Sequence, residues 1–374
     1  MRKKKVLVVT GTRAEYGLLY PVIKEIRKSR SLQLRLLVTG MHTQKKFGST
    51  INEIRRDGIS ISSVVRIKEK ISMLEALAEE IKGIEKYCFK EKPDLILISA
   101  DRGEAFAAAI VAGHLGIPVA HLSGGDVTGP VVDDLIRNAI TKFSHVHFPL
   151  TQRSARRIKK MGEKQSRIFP FGTTALDDIS EKGLLTRAQL AKQLKIDARK
   201  PWILFVQHPV ALDITPLQKQ INESLASLEI LSSERIVIYP NSDNGSEQFV
   251  RALEQFAKKT RAVIARSFPR AVFLSILKNV DVMVGNSSSG IVEAGFFKTP
   301  VVDVGNRERG RERGINVISA PYERHVITKA ITKALSPAFK RKLRTMKHPY
   351  GSGDTSGSIV RVLEKIDFDV LKNK

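Results

Sequence analysis

Two short runs of the chain place carboxylates beside glycines and arginine in a pattern suited to proton transfer. The first is Ala100-Asp101-Arg102, directly after the apolar run Leu95 to Ile98. The second is Ser123-Gly124-Gly125-Asp126, after the apolar run Ile117 to Leu122, and Asp133-Asp134-Leu135-Ile136-Arg137-Asn138 lies just beyond it. Short apolar runs bounded by proline and polar residues read as buried strands. In open α/β sheets ligands bind outside the carboxyl ends of the strands. Both runs should therefore deliver carboxylates, and glycines that let a backbone come close, to one crevice. Taken singly, each carboxylate also suits a helix cap or a turn. His208, in Gln207-His208-Pro209, ends another apolar run, Trp202 to Val206, and a histidine there can act as acid or base near neutral pH. If the two halves of the chain face each other, His208 joins Asp101, Asp126, Asp133 and Asp134 in one acid–base cluster.

Three further motifs suit an anion. Thr10-Gly11-Thr12-Arg13-Ala14-Glu15-Tyr16-Gly17 follows a strand and opens a helix, so it offers free backbone N–H groups and a forked cation, Arg13. Gly285-Asn286-Ser287-Ser288-Ser289-Gly290 repeats the arrangement with three hydroxyls, and Glu293 follows within a turn of helix. Such a run can cradle a diphosphate, and it is also a good N-cap. Gly305-Asn306-Arg307-Glu308-Arg309-Gly310-Arg311-Glu312-Arg313 follows the strand Pro300 to Val304, with Arg307 the best phosphate candidate in a largely solvated run. Asn241-Ser242-Asp243-Asn244-Gly245-Ser246 either borders the same crevice or forms an Asx-turn. None of these is a G-x-G-x-x-G fingerprint or a Walker A loop, and there is no Gly-x-Ser-x-Gly elbow. His114, His121, His145 and His147 lack metal-ligand spacing and read as structural, so no metal is called for.

The elements that position these motifs alternate from end to end. Strands are expected over Lys5 to Thr10, Leu34 to Val38, Leu95 to Ile98, Ile117 to Leu122 and His145 to Phe148. Helices are expected over Glu15 to Lys28, Ser72 to Cys88, Glu104 to His114 and Asp133 to Lys142. The stretch Thr174 to Lys200 reads as a polar, helical connection. A second series of strands follows: Trp202 to Val206, Arg235 to Tyr239, Ala262 to Ala265, Asp281 to Val284 and Pro300 to Val304. The Gly- and Ser-rich piece Tyr350 to Ser358 precedes a last helix, Ile359 to Leu371, able to fold back on the first half. Repeated βαβ units imply parallel sheets covered by helices on both faces.

Bulk properties narrow the function class. With 374 residues, 42% hydrophobic and 27% charged, the chain can bury two ordinary cores. One cysteine, Cys88, excludes an internal disulfide framework and fits a reducing, cytoplasmic setting. No apolar run approaches the roughly 18 residues of a membrane span. The basic start feeds only Val6 to Val9, which suits a first strand better than a signal peptide. The net charge of +25 favours anionic partners. The basic residues are spread out and aromatics make up only 6%, so a phosphorylated small molecule is preferred to nucleic acid.

Five motifs in order, Gly11-Thr12-Arg13-Ala14-Glu15-Tyr16, Ala100-Asp101-Arg102, Asp133 to Lys142, Gln207-His208-Pro209 and Gly285-Asn286-Ser287-Ser288, resemble the UDP-N-acetylglucosamine 2-epimerases. They are most similar to the UDP-hydrolysing branch, which makes N-acetylmannosamine and related sugars. The resemblance runs from about Val6 to Gly357. It implies an α/β fold of the glycosyltransferase-B type, two Rossmann-like parallel-sheet domains facing across a cleft. The expected division is 1–180 for the sugar and the catalytic carboxylates, 181–355 for UDP, and 356–374 for a helix packing back on the first domain. The resemblance further implies a UDP-N-acetylhexosamine substrate, no cofactor, no nucleic-acid or membrane partner, and a homodimer or homotetramer. A base removes the C2 proton as the C1–oxygen bond to UDP breaks, and water adds to the unsaturated intermediate. Asp101, Asp126, Asp133, Arg137 and His208 match catalytic positions. Arg13, Arg102, Asn286, Ser287, Ser288, Glu293 and Arg307 match UDP-sugar-binding ones, with Glu293 on the ribose.

Three positions depart from the family pattern. Asp126 stands where the branch commonly has glutamate, Ser123 where animal members have glutamate, and Asn138 where histidine is usual. These bear on which sugar is used, unmodified or altered at C4 or C6, more than on the reaction type. The alternatives are a non-hydrolysing 2-epimerase, a glycosyltransferase of the same fold, and, from another class, a basic nucleic-acid-binding protein.

Overall fold

The computed structural model describes residues 2–44, 50–127, 132–177, 179, 183–211, 213–240 and 245–372. The chain divides into two compact units, one made of Met1–Asp178 with Pro349–Lys374, the other of Ile179–His348. Asn241 to Asn244, singled out above, lie outside the described residues.

The first unit holds β1 (Lys4–Thr10), β2 (Leu32–Val38), β3 (Ser63–Val64), β4 (Leu95–Ser99), β5 (Val119–Leu122) and β6 (Val146–Phe148). They form one sheet in the order β3-β2-β1-β4-β5-β6, parallel throughout. The second unit holds β7 (Trp202–Val206), β8 (Glu234–Ile238), β9 (Val263–Ala265), β10 (Val282–Gly285), β11 (Val301–Val304) and β12 (Val317–Ala320). Its sheet, β12-β11-β10-β7-β8-β9, repeats the same strand order. In both units the first and fourth strands are neighbours, and the chain leaves them in opposite directions. That is the topological switch point, where an open α/β sheet makes its crevice.

The strands run apolar without alternation because both faces are covered. Val6 and Val8 of β1 pack with the helix Arg13–Lys28, while Leu7 and Val9 pack with the helices Met73–Glu91 and Gly103–Leu115. In β7, Ile203 and Phe205 face one core, and Trp202, Leu204 and Val206 the other.

The last part of the chain differs from expectation in detail. The helix starts earlier, at Thr355, because Asp177 accepts from the N–H groups of Thr355 and Ser356 at 2.9 and 2.6 Å. It ends at Lys365, and a new short helix, Phe368–Leu371, starts from an Asp367 side-chain cap. Ile359, Val360 and Leu363 pack with Leu19 and Val22 in the first unit's core. Among the described residues, the connection from Thr174 is helical over Thr174–Leu176 and Arg187–Leu194. A capping box of Thr186 and Gln189 starts the second of these helices, and Lys195, at φ 56°, stops it. The edge strands β3 and β12 were not anticipated, since two residues are too short for periodicity and β12 is only half-buried.

Candidate functional site

At the first switch point, Ala100 leaves β4 in the left-handed region, φ 64°, and its N–H donates to the Leu122 carbonyl of β5. Asp101 is thereby turned out of the sheet. Arg137, on the helix Val132–Phe143, meets it there. Its guanidinium donates to the Asp101 carboxylate, to Asp134 Oδ1 at 2.5 Å and to the Asp126 carbonyl at 2.9 Å. The Arg137 side chain is only 3% exposed. A cation this buried needs its carboxylates, and breaking such a pair typically costs about 3–5 kcal/mol. Asp133, also in the helix's first turn, is part-buried and has no hydrogen bond or ion pair among the described residues.

Asp126 is held from a helix that the sequence did not mark as functional, Gln152–Lys160. Its Oδ1 accepts from Ser154 Oγ at 2.7 Å, and Arg157 donates to the Gly125 carbonyl at 2.9 Å. Gly125, at φ 74°, approaches so closely that a Cβ would lie 2.5 Å from the Ser154 carbonyl oxygen. The signal available was Thr151 two residues before an Arg- and Lys-rich run, a helix start without an obvious target.

The turn after β1 is sealed from below rather than open. Gly11 N–H donates to Glu15 Oε2 at 2.8 Å, and Glu15 N–H to Thr12 Oγ1 at 3.2 Å. A Cβ on Gly11 would collide with the Glu104 carboxyl. Glu15, Glu104 and Glu80 are all buried, and burial raises each carboxyl above its usual range, Glu80 to about 8. Arg102 Nε stands 3.9 Å from Glu104 Oε1. Arg13, by contrast, is 76% exposed and pairs with Glu53 at 3.1 Å.

At the second switch point, Gly285 (φ 132°) brings β10 so close to β7 that a Cβ would strike the Val206 carbonyl. Asn286, fully buried, then holds His208 by its backbone: Oδ1 accepts from His208 N–H at 2.7 Å and Nδ2 donates to His208 O at 2.9 Å. Asn286 therefore orients the histidine. Ser287 caps the short helix Ser288–Ile291, with its Oγ 2.9 Å from Ser289 Oγ. Arg307 donates to the Asn286 carbonyl at 3.3 Å and to Glu308 at 2.8 Å. Glu293 is largely buried, which raises its carboxyl pKa despite Arg270 at 3.9 Å. A cavity of about 520 Å³ beside the Gly305 turn is lined by Lys219, Arg309, Arg313 and Tyr322, among others. The first switch point thus gathers carboxylates able to move protons, and the second gathers hydroxyls and cations able to bind an anion. Among the described residues no group of three His, Cys, Asp or Glu is placed to hold a metal ion, and no helix is long and apolar enough to cross a membrane.

Comparison with known proteins gives the following. The family model described as UDP-N-acetylglucosamine 2-epimerase matches residues 24–364. A Legionella pneumophila protein named UDP-N,N'-diacetylbacillosamine 2-epimerase (hydrolyzing) is 36% identical over 367 residues, 97% of this chain and 96% of that protein. A Campylobacter jejuni protein named GDP/UDP-N,N'-diacetylbacillosamine 2-epimerase (hydrolyzing) is 31% identical, over 100% of this chain and 99% of that one. The fold is similar to the crystal structure of UDP-GlcNAc 2-epimerase from Neisseria meningitidis bound to UDP-GlcNAc. The TM-score is 0.77 at 21% identity, over 97% of this chain and 100% of that one.

Proposed function

The chain belongs to the UDP-N-acetylglucosamine 2-epimerase family, and we propose that it is a hydrolysing member, releasing UDP and a free, C2-inverted sugar. The observation that carries this reading is the carboxylate cluster around Arg137, with Asp133 left unpaired beside it among the described residues. Asp133 is our candidate for the base at C2, because Asp101 and Asp134 are engaged by Arg137. Removal of the C2 proton pushes the C–H electrons into a C1–C2 double bond, and the C1–oxygen pair leaves with UDP. Water then adds its oxygen to C1 and a proton to C2 on the opposite face. Arg137 orients Asp101, and His208 supplies a second acid–base group. Ser287, Ser288 and Arg307 would receive the departing diphosphate, whose charge rises as the bond breaks.

The names of the Legionella and Campylobacter relatives support a sugar modified at C4 and C6, and so do Ser123, Asp126 and Asn138. The test is incubation with UDP-N-acetylglucosamine and with its 2,4-diacetamido-6-deoxy analogue in deuterated water. We expect free UDP and a free sugar carrying deuterium at C2. With neither product from either substrate, the reading fails. Deuterium in a sugar still linked to UDP would indicate the non-hydrolysing reaction, and UDP release that requires an acceptor a glycosyl transfer.

A further inference from the structure

One fully buried histidine is unused by the chemistry above. His121 lies in β5 with no exposed surface. Its Nε2 is 2.8 Å from the Ala100 carbonyl oxygen. A carbonyl can only accept, so Nε2 carries the hydrogen. Burial pushes the imidazole pKa down to about 3, so the ring is neutral and Nδ1 is an acceptor. Nδ1 faces the Thr141 hydroxyl at 3.3 Å, and that hydroxyl also faces the Arg137 carbonyl at 2.9 Å. Its single hydrogen goes to the nearer acceptor, the Arg137 carbonyl, and the contact with Nδ1 is the weaker of the two.

These contacts close a ring. Ala100 is bonded to Asp101, Asp101 is paired with Arg137, Arg137's carbonyl meets Thr141, Thr141 meets His121, and His121 returns to Ala100. The ring also explains how a strained turn persists. A side-chain-bearing residue at φ 64°, as Ala100 is, costs of the order of 1–3 kcal/mol unless its surroundings hold it. The His121 bond holds its carbonyl. The same imidazole lies under the second loop, since a Cβ on Gly124 would be 2.8 Å from Nδ1.

We propose that His121 and Thr141 are positioning residues for the Asp101–Arg137 pair: the imidazole sets the direction in which Asp101 leaves the sheet, and Thr141 ties that setting to the backbone of Arg137. The proposal rests on the epimerase reading, because it gives Asp101 a task in that reaction. A histidine that merely fills space is replaceable by any side chain of similar volume. A positioning histidine is replaceable only by one that restores the bond to Ala100. Glutamine can bring its amide nitrogen to the place of Nε2, whereas asparagine reaches only the place of Nδ1.

The experiment measures kcat and KM for UDP release by His121→Gln, His121→Asn, Thr141→Ser and Thr141→Val, with thermal unfolding alongside. We expect kcat of the Asn variant to fall on the order of 10²-fold at a KM within about twofold, as for a catalytic group misplaced by about 1 Å. The Gln variant should recover most of that loss. Thr141→Val should lose about tenfold and Thr141→Ser almost nothing. Equal losses in Gln and Asn, or wild-type kcat in Thr141→Val, overturn the proposal. The near-isosteric threonine pair decides the matter if a histidine variant does not fold. A crystal structure of Thr141→Val adds a readout free of activity. Ala100 should leave the left-handed region or Asp101 should separate from Arg137, and an unchanged Ala100–Asp101–Arg137 geometry overturns the proposal. Wild-type protein that releases no UDP would instead defeat the epimerase reading.

Discussion

The two switch points have the same strand order and opposite interiors. Under the turn after β1 lie Glu15, Glu80 and Glu104, and the Gly11 N–H that could have met an anion is taken by Glu15. Under the turn after β10 lies Asn286, whose amide is spent on the His208 backbone, while Ser287 and Ser288 stay part-exposed and Arg307 donates to the Asn286 carbonyl beside them. What fills the space beneath the turn therefore decides what the turn can bind. A turn whose Gly11 N–H is taken by a buried acid has one donor fewer for phosphate. The difference supports our proposal of proton chemistry in the first unit and anion binding in the second.

The largest effect that could break this division is in the first unit. Asp133→Asn should lower turnover on the order of 10²-fold or more, as loss of an acid–base group does. UDP affinity, read by calorimetry, should stay within about twofold. An equal loss of UDP affinity would mean that the carboxylate cluster also binds the nucleotide. Next is Arg307→Ala in the second unit, expected to weaken UDP binding about tenfold, the worth of one charge-assisted contact. Arg13→Ala should cost less, about threefold, because Arg13 is exposed and already paired with Glu53. If Arg13→Ala weakens UDP more than Arg307→Ala does, the sealed turn is the anion site after all and the comparison reverses.

The sequence made the strand ends readable, because four of the motifs follow a compact apolar run directly. Asp101, Asp126, His208 and Asn286 were all found that way. Pairing was not readable. Asp133 and Asp134 are adjacent and chemically alike, and only helix phase puts Asp134 three residues before Arg137, on the guanidinium's side. Glu80 and Glu104 look like ordinary helix-surface glutamates, and nothing in their spacing betrays that both are buried. Ser154 and Arg157 hold the Asp126 loop across 28 and 32 residues of sequence, a separation at which local pattern carries no information.

The smallest predicted effect sharpens the comparison through pH. Burial, and then the neighbouring Glu104, raise the folded Glu80 carboxyl from 4.5 to about 8, with Thr39 and Arg102 opposing. Below about pH 4.5 the group is protonated in both states. Between there and about pH 8 the folded protein keeps a proton that the unfolded chain has released, so stability is lost as pH rises through that window. In the second unit, burial raises Asp303 only to about 6, because Arg313 stands 2.9 Å away. Its share of the loss is therefore smaller and fades soon above pH 6, while Glu80 goes on contributing through the interval from about pH 6 to 8. Glu80→Gln should show a smaller fall in unfolding temperature across that interval than wild type, and Asp303→Asn should not. If the two variants and the wild type fall alike, Glu80 is already ionised at pH 6, and the acids beneath the first turn are not the neutral seal that separates it from the second.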